Sequence, residues 1–357
     1  MDLRLHGERL VRRAVRALRA RARGWRSTSA PRLVNWDVTY ACPMRCEHCY
    51  SESGRRSSRQ LPLVDLMRIA DILVTLSPVP EVVFTGGEPL LVRDILSVAQ
   101  RLRRGGARLA LYTSGAGLRA PLASELVRLF HRIAVSLDAD IAEANDRIRG
   151  RPGAYDTALA ALEHLDLAAR ATRASLGIEC TIVRSGLDHL EGLARDLPRL
   201  FPRIDFVHLG AAIPTGLASE EAYAARELLD QAALARLPAR VNALRALAPM
   251  SVRVALMDNA AFLMSAEQIR RGRANDHIAK IEADGRMRAV DIYEGTIGNV
   301  LEEPFEVLWA RACARHDDPE FQAHLSGVRT MADWARATRA IDRRYAAPED
   351  LARLQAR

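Results

Sequence analysis

Residues 33–50 read LVNWDVTYACPMRCEHCY. A β-rich run, LVNWDVT, leads at once into a loop with Cys42, Cys46 and Cys49 in the spacing C-x3-C-x2-C. Outward from this stretch the chain repeats one unit: strand, turn, helix. A helix over 63–76 precedes EVVFT, one over 93–104 precedes RLALYT, and one ending near Phe130 precedes RIAVSLD. A helix over 154–171 then leads to ASLGIECTIV, and the stretch 187–200 leads to IDFVHLG. Strands alternating with helices in this way are covered on both faces and joined by crossovers, which predicts a largely parallel α/β sheet. In such a sheet the loops at the carboxyl ends of the strands build the site. Beyond residue 215 the pattern changes to a long Ala/Leu/Arg helix over 219–247, a strand near Val252, and a hairpin pairing HIAKIEA with MRAVDIY across Asp284-Gly285. The stretch 304–357 is helical in pattern and carries no motif.

The chain has 357 residues, 49% hydrophobic and 27% charged, enough for a substantial core and inconsistent with wholesale disorder. Three of its five cysteines crowd into one loop, which is not the distribution of a secreted disulfide framework and predicts a reducing cytoplasm. No long apolar run suggests a membrane span or secretory signal. The net charge of +8 comes almost entirely from arginine, Lys280 being the sole lysine. Nine arginines over residues 1–30, with apolar residues at helical spacing, predict a basic amphipathic helix, either packed on the domain or facing an acidic partner. Aromatics at 5% offer little to stack on bases, which disfavours nucleic acid as a partner.

Three thiolates on one short loop suit three corners of an iron-sulfur cube, leaving one iron open to a non-protein ligand. A structural zinc site would need a fourth ligand, and His48 lies between Cys46 and Cys49, where the backbone would have to double back. The next strand ends in FTGGEPL, whose Gly86 and Gly87 allow close backbone approach and whose Glu88 complements an ammonium group.

With Tyr50 directly after the last cysteine, this loop resembles the cluster-binding motif of the radical S-adenosylmethionine (radical SAM) superfamily, and the Gly86-Gly87-Glu88 segment resembles the one that binds the methionine amino group. The resemblance covers residues 33–216 and implies a partial (β/α)6 TIM-like barrel. It implies a [4Fe-4S] cluster on Cys42, Cys46 and Cys49 as metal ligands, and S-adenosyl-L-methionine as the second cofactor. The positions it carries over for binding S-adenosylmethionine are Tyr50, Gly86, Gly87, Glu88, Thr113, Ser114, Ser136, Asp138 and Arg149. Thr113 and Ser114 close LYTSG, while Ser136, Asp138 and Arg149 lie in VSLDADIAEANDRIRG. Ala139 and Asn145 depart from the family pattern, which has glycine and histidine there. Competing uses are a helix N-cap for Ser136 and Asp138 and an ion pair with Asp146 for Arg149. Thr181 and the loop 213–216 are further candidates for adenine or substrate contact.

More faintly, residues 217–310 resemble the small C-terminal α+β extension of the SPASM/twitch branch, but without its auxiliary-cluster cysteines. The chain thus divides into a basic helix (1–30), the barrel (31–216), the extension (217–310) and a helical tail (311–357). Cys180 reads as core filler, and Cys313 has no ligand partner in sequence. One cluster, no catalytic acid or base that can be named, and redox-neutral chemistry such as epimerisation, elimination, rearrangement or decarboxylation follow as expectations. The resemblance implies reductive cleavage of S-adenosylmethionine with a flavodoxin-type reductase as electron donor. It implies tailoring of a natural product, with the substrate a sugar, aminocyclitol, nucleoside or ribosomal peptide. The rival readings are an RNA-modifying radical enzyme and a non-catalytic scaffold.

Overall fold

The computed structural model describes residues 30–257 and 278–355; the helix expected at the start of the chain lies outside the described residues. In chain order the strands are β1 (Leu33–Thr39), β2 (Glu81–Gly86), β3 (Leu109–Thr113), β4 (Arg132–Ser136), β5 (Ser175–Ile182), β6 (Ile204–Ala211), β7 (Arg253–Leu256), β8 (Ile278–Ile281), β9 (Arg286–Arg288) and β10 (Thr296–Asn299). The helices between them are α1 (Leu63–Thr75), α2 (Ile95–Arg104), α3 (Ala120–Leu129), α4 (Ala142–Arg149), α5 (Ala154–Ala169), α6 (Glu191–Arg195), α7 (Leu197–Leu200), α8 (Glu221–Glu227) and α9 (Gln231–Leu247). Four more close the chain: α10 (Phe305–His316), α11 (Pro319–Ser326), α12 (Met331–Tyr345) and α13 (Pro348–Gln355).

Among the described residues all strands join one sheet in the order β10-β9-β8-β1-β2-β3-β4-β5-β6-β7. From β8 to β7 every neighbouring pair is parallel, and only the pairs β8-β9 and β9-β10 are antiparallel. This is the partial TIM-like arrangement, with the extension's hairpin turning at Asp284-Gly285 as expected. The extension shares the barrel's sheet: β7 lies beside β6, and β8 lies beside β1 on the other flank.

Alternation explains the layers. Val34, Trp36 and Val38 of β1 are fully buried against the helices, and Trp36 meets Phe84 edge-on at 5.8 Å while Phe84 meets Phe130 at 5.5 Å. The helices answer with stripes at helical spacing, Leu66, Ile69, Ala70 and Leu73 on α1 and Ile95, Val98, Ala99 and Leu102 on α2. The opposite, inner face of the sheet carries Asn35, Asp37, Tyr112, Arg132, Glu179, His208 and Lys280 among smaller apolar residues, so charged and polar groups are concentrated there.

One element differs from its expectation. The helix expected over 219–247 is two helices, because Leu228 and Leu229 turn into the core between them and Asp230 starts α9 afresh, its carboxylate accepting the Ala233 amide at 2.8 Å.

Candidate active site

The three cysteines lie at the carboxyl end of β1, with Met44, Ala116 and Ala154 packed around their side chains. None is in a disulfide. Burial pushes the Cys42 thiol up to about 12, with Glu88 and the other two thiols adding to the shift. Cys46 is also raised by burial, but Arg149 opposes this: its Nη1 lies 3.6 Å from Cys46 Sγ. Among the described residues no three His, Cys, Asp or Glu side chains converge on a point as a single ion requires. A cube places each thiolate on a different iron, a demand that three thiols on one short loop suit.

Arg149 does not pair with Asp146. Its Nε lies 2.9 Å from Asp138 Oδ2, and Asp138 in turn accepts the Thr181 amide at 2.8 Å. Asp138 and the charge on Cys46 hold the guanidinium's pKa high against the cost of its burial. Asp146 instead accepts the amides of Gly153 and Tyr155 at the start of α5, at 2.6 and 2.8 Å. Asn145, the departure from the family pattern, ties α4 to the end of β4 by accepting the Asp138 amide at 3.0 Å. His48 also reaches Asp138, at 3.6 Å, and its burial lowers its pKa. The sequence offers His48 only as a zinc ligand; the signal for its pairing is a histidine inside the cysteine loop with an aspartate at a later strand end.

Glu88 is fully buried and takes four donors from the chain itself: Thr113 Oγ1 at 2.7 Å, Leu90 N at 3.1 Å, Ser114 N at 2.7 Å and Ser114 Oγ at 2.5 Å. Burial raises its pKa and the four donors pull it back. The carboxylate expected to face an ammonium therefore fastens the end of β3 to the end of β2. Gly87 explains why no side chain is tolerated beside it, since a Cβ there would lie 2.2 Å from the Ala41 carbonyl oxygen. That close approach lets Gly87 N donate to Thr39 O and Glu88 N to Ala41 O, at 2.7 and 2.8 Å, joining this loop to the one bearing the cysteines. At Gly216, in the loop after β6, a Cβ would lie 2.4 Å from the Tyr50 carbonyl oxygen and 2.5 Å from that of Cys49.

Tyr50 turns into the barrel. Its hydroxyl donates to Asp37 Oδ1 at 2.9 Å, lies 3.0 Å from Thr85 Oγ1, and accepts the Gly86 amide at 3.2 Å. Burial, with Asp37 second, raises its pKa strongly. Lys280 of β8 donates to Asp37 at 2.7 Å and lies 4.6 Å from the Tyr50 ring centre. Asp291, where the SPASM pattern would follow the turn with a ligand, accepts from Asn35 Nδ2 at 3.0 Å. The tail has a role the sequence did not disclose: Arg353 of α13 bonds Glu52, just past the cysteines, and Glu294 of the extension. Ser136 closes β4 on the inner face, in register with Glu179.

Residues 36–197 match the family described as the Radical SAM superfamily. Residues 36–197 are a radical SAM domain. Among curated proteins the chain is 29% identical over 198 residues to an AdoMet-dependent heme synthase of Methanosarcina barkeri, covering 54% of each. It is 32% identical over 170 residues to the mycofactocin maturase MftC of Mycolicibacterium smegmatis, covering 47% of this chain and 42% of that one. The chain thus spans about half the length of these curated relatives. The fold also matches Streptococcus suis SuiB bound to S-adenosylmethionine, with TM-score 0.63 at 16% identity over 84% of this chain and 69% of that one. Native anSMEcpe with bound AdoMet matches with TM-score 0.57 at 14% identity, over 91% and 98%. The cofactors of a radical SAM domain are a [4Fe-4S] cluster and S-adenosylmethionine. No helix among the described residues is long and apolar enough to cross a membrane.

Proposed function

We propose that this chain is a radical SAM enzyme that tailors a natural product, using one [4Fe-4S] cluster held by Cys42, Cys46 and Cys49. The observation that carries the reading is the grouping of three undisulfided thiols at the end of β1 with Arg149 against Cys46. Cys42, Cys46 and Cys49 would hold the cluster, which when bound and reduced would supply the electron for reductive cleavage of S-adenosylmethionine and hence for hydrogen abstraction from the substrate.

The chain's residues prepare for this. Arg149 places a positive charge beside Cys46, favouring its thiolate form, and Asp138 fixes where that charge sits. Glu88 locks Thr113 and Ser114 in place, so the ends of β2 and β3 form one rigid ledge beside the cysteine loop. Tyr50 closes the loop onto the inner face through Asp37 and Lys280.

We infer redox-neutral chemistry, since the sequence has two cysteines outside the loop, fewer than the three or four that hold an auxiliary cluster, and one of them, Cys180, is core-packed with Sγ 3.7 Å from Asp138 O. The names of the relatives span a mycofactocin maturase and a heme synthase, and SuiB has been solved bound to a precursor peptide, which supports a ribosomal peptide or a small molecule as the substrate class. A flavodoxin-type reductase is the proposed electron donor and the cytoplasm the proposed location.

The test is anaerobic reconstitution with iron and sulfide, reduction by dithionite, and measurement of 5′-deoxyadenosine from S-adenosylmethionine. About four irons per chain and deoxyadenosine are expected, with both lost in Cys46→Ala. Bound zinc with intact S-adenosylmethionine would overturn the proposal.

A further inference from the structure

Four side chains on the inner face take no part in the function proposed above. They are Arg132 of β4, Glu179 of β5, His208 of β6 and Arg253 of β7. Strand register places them just beneath the site. Ser136, Glu179, His208 and Ala255 form one row across the sheet, and Tyr112, Ala134, Gly177, Phe206 and Arg253 form the row below it. Arg132 starts lower still and reaches upward: its Nη2 lies 2.8 Å from His208 Nδ1 and 3.6 Å from Glu179 Oε2. Its guanidinium stacks over Phe206 at 4.5 Å, with the Tyr112 ring at 5.7 Å. Arg253 Nη2 meets the other ring nitrogen, His208 Nε2, at 3.2 Å. Glu179 Oε2 lies 3.3 Å from His208 Nδ1.

This group has too few acceptors. Two guanidiniums carry about ten N–H donors; beside Arg132 lie one carboxylate and one imidazole, and beside Arg253 the same imidazole. Both nitrogens of His208 face an arginine, yet a neutral ring accepts at one nitrogen and a protonated ring at neither. Arg132 Nε is buried and has no hydrogen-bond partner, and neither has Glu179 Oε2, which faces its cations as an ion pair only. Before His208 is counted, two arginines and one glutamate leave a surplus positive charge. The group is also reachable: Arg132 and Glu179 keep 24% and 25% of their side-chain surface, and Arg253 is exposed. An oxyanion is the ligand that supplies what is missing, because it brings negative charge and several lone pairs to donors already held in place.

We propose that Arg132, Arg253 and His208 anchor an oxyanion of the substrate, a carboxylate or a phosphate, with Glu179 holding Arg132 in its upward position. Naming the bound molecule a substrate rests on the radical SAM reading; the anion site itself does not.

The test is calorimetric titration of the reconstituted full-length protein with succinate and, separately, with inorganic phosphate, against sodium chloride of equal ionic strength. One site per chain is expected for at least one of the two anions. Succinate alone binding identifies a carboxylate, phosphate alone identifies a phosphate, and binding of both identifies a site shared by the two. Arg132→Gln and Arg253→Gln should each weaken binding by about tenfold or more. Arg68→Gln, which removes an exposed arginine on α1 paired with Asp65, should leave it unchanged. Arg253 is exposed, so its variant keeps the test open if Arg132→Gln fails to fold. No binding above the chloride control, or equal binding by both variants and the parent, overturns the anchor. Failed anion binding with normal deoxyadenosine formation by the parent protein removes the anchor alone. Retained anion binding without deoxyadenosine removes the proposed function and leaves an anion site of another purpose.

Discussion

The two halves of the sheet's inner face solve the same problem in opposite ways. On the β8-β1-β2 side, charges are matched within the chain and sealed: Lys280 is 2% exposed and 2.7 Å from Asp37, which is itself fully buried and bonded to Tyr50. On the β4-β7 side, Arg132 and Arg253 meet at the His208 ring, Glu179 is the carboxylate beside Arg132, and both arginines stay open to solvent. A sealed pair fixes the position of what it touches, here the cysteine loop, because moving either partner strands the other in a poor dielectric. An open, donor-rich group fixes little and is free to take a ligand. One half is therefore read as scaffold and the other as recognition surface.

Lys280→Met should break the first half most severely. It strands Asp37 without a cation and is expected to cost about 3–5 kcal/mol in urea unfolding, with Asp37→Asn in the same chain restoring part of the loss. A change below about 1 kcal/mol, the range of exposed pairs, would dissolve the distinction between the halves. Gly87→Ala comes next. Its Cβ would meet the Ala41 carbonyl at 2.2 Å, where backbone must yield, so a cost of about 1–3 kcal/mol and reduced iron uptake on reconstitution are expected. Smallest is Arg253→Gln, which should move the unfolding free energy by no more than about 0.5 kcal/mol. A large destabilisation there would make Arg253 scaffold too.

The difference between the halves also marks what could be read in the sequence. Cys42, Cys46, Cys49, Gly87 and Glu88 were legible because local spacing encodes them, and the alternation of strand with helix disclosed the parallel sheet. The pairing of Lys280 with Asp37 was not, since it joins strands 243 residues apart. Nor was the oxyanion anchor: RIAVSLD and IDFVHLG read as ordinary buried strands, and only register shows that Arg132 and His208 share a face with Ser136. A charged residue at alternate positions of a strand buried on both sides was the usable hint. Glu88 was found by motif, but its four internal hydrogen bonds belong to the three-dimensional meeting of two strand ends.

The place of β8 has a consequence for how the protein is made. β1 pairs with β2, which follows soon after it, and with β8, which begins at Ile278. A growing chain extends by roughly 5–20 residues per second. The cysteines thus emerge on the order of tens of seconds before the strand that completes their support. Throughout that interval one edge of β1 is an open template for mispairing, and Asp37 waits without its cation. Metal loading during synthesis would act on an unfinished loop, so the order of events favours a folded chain first and iron afterwards.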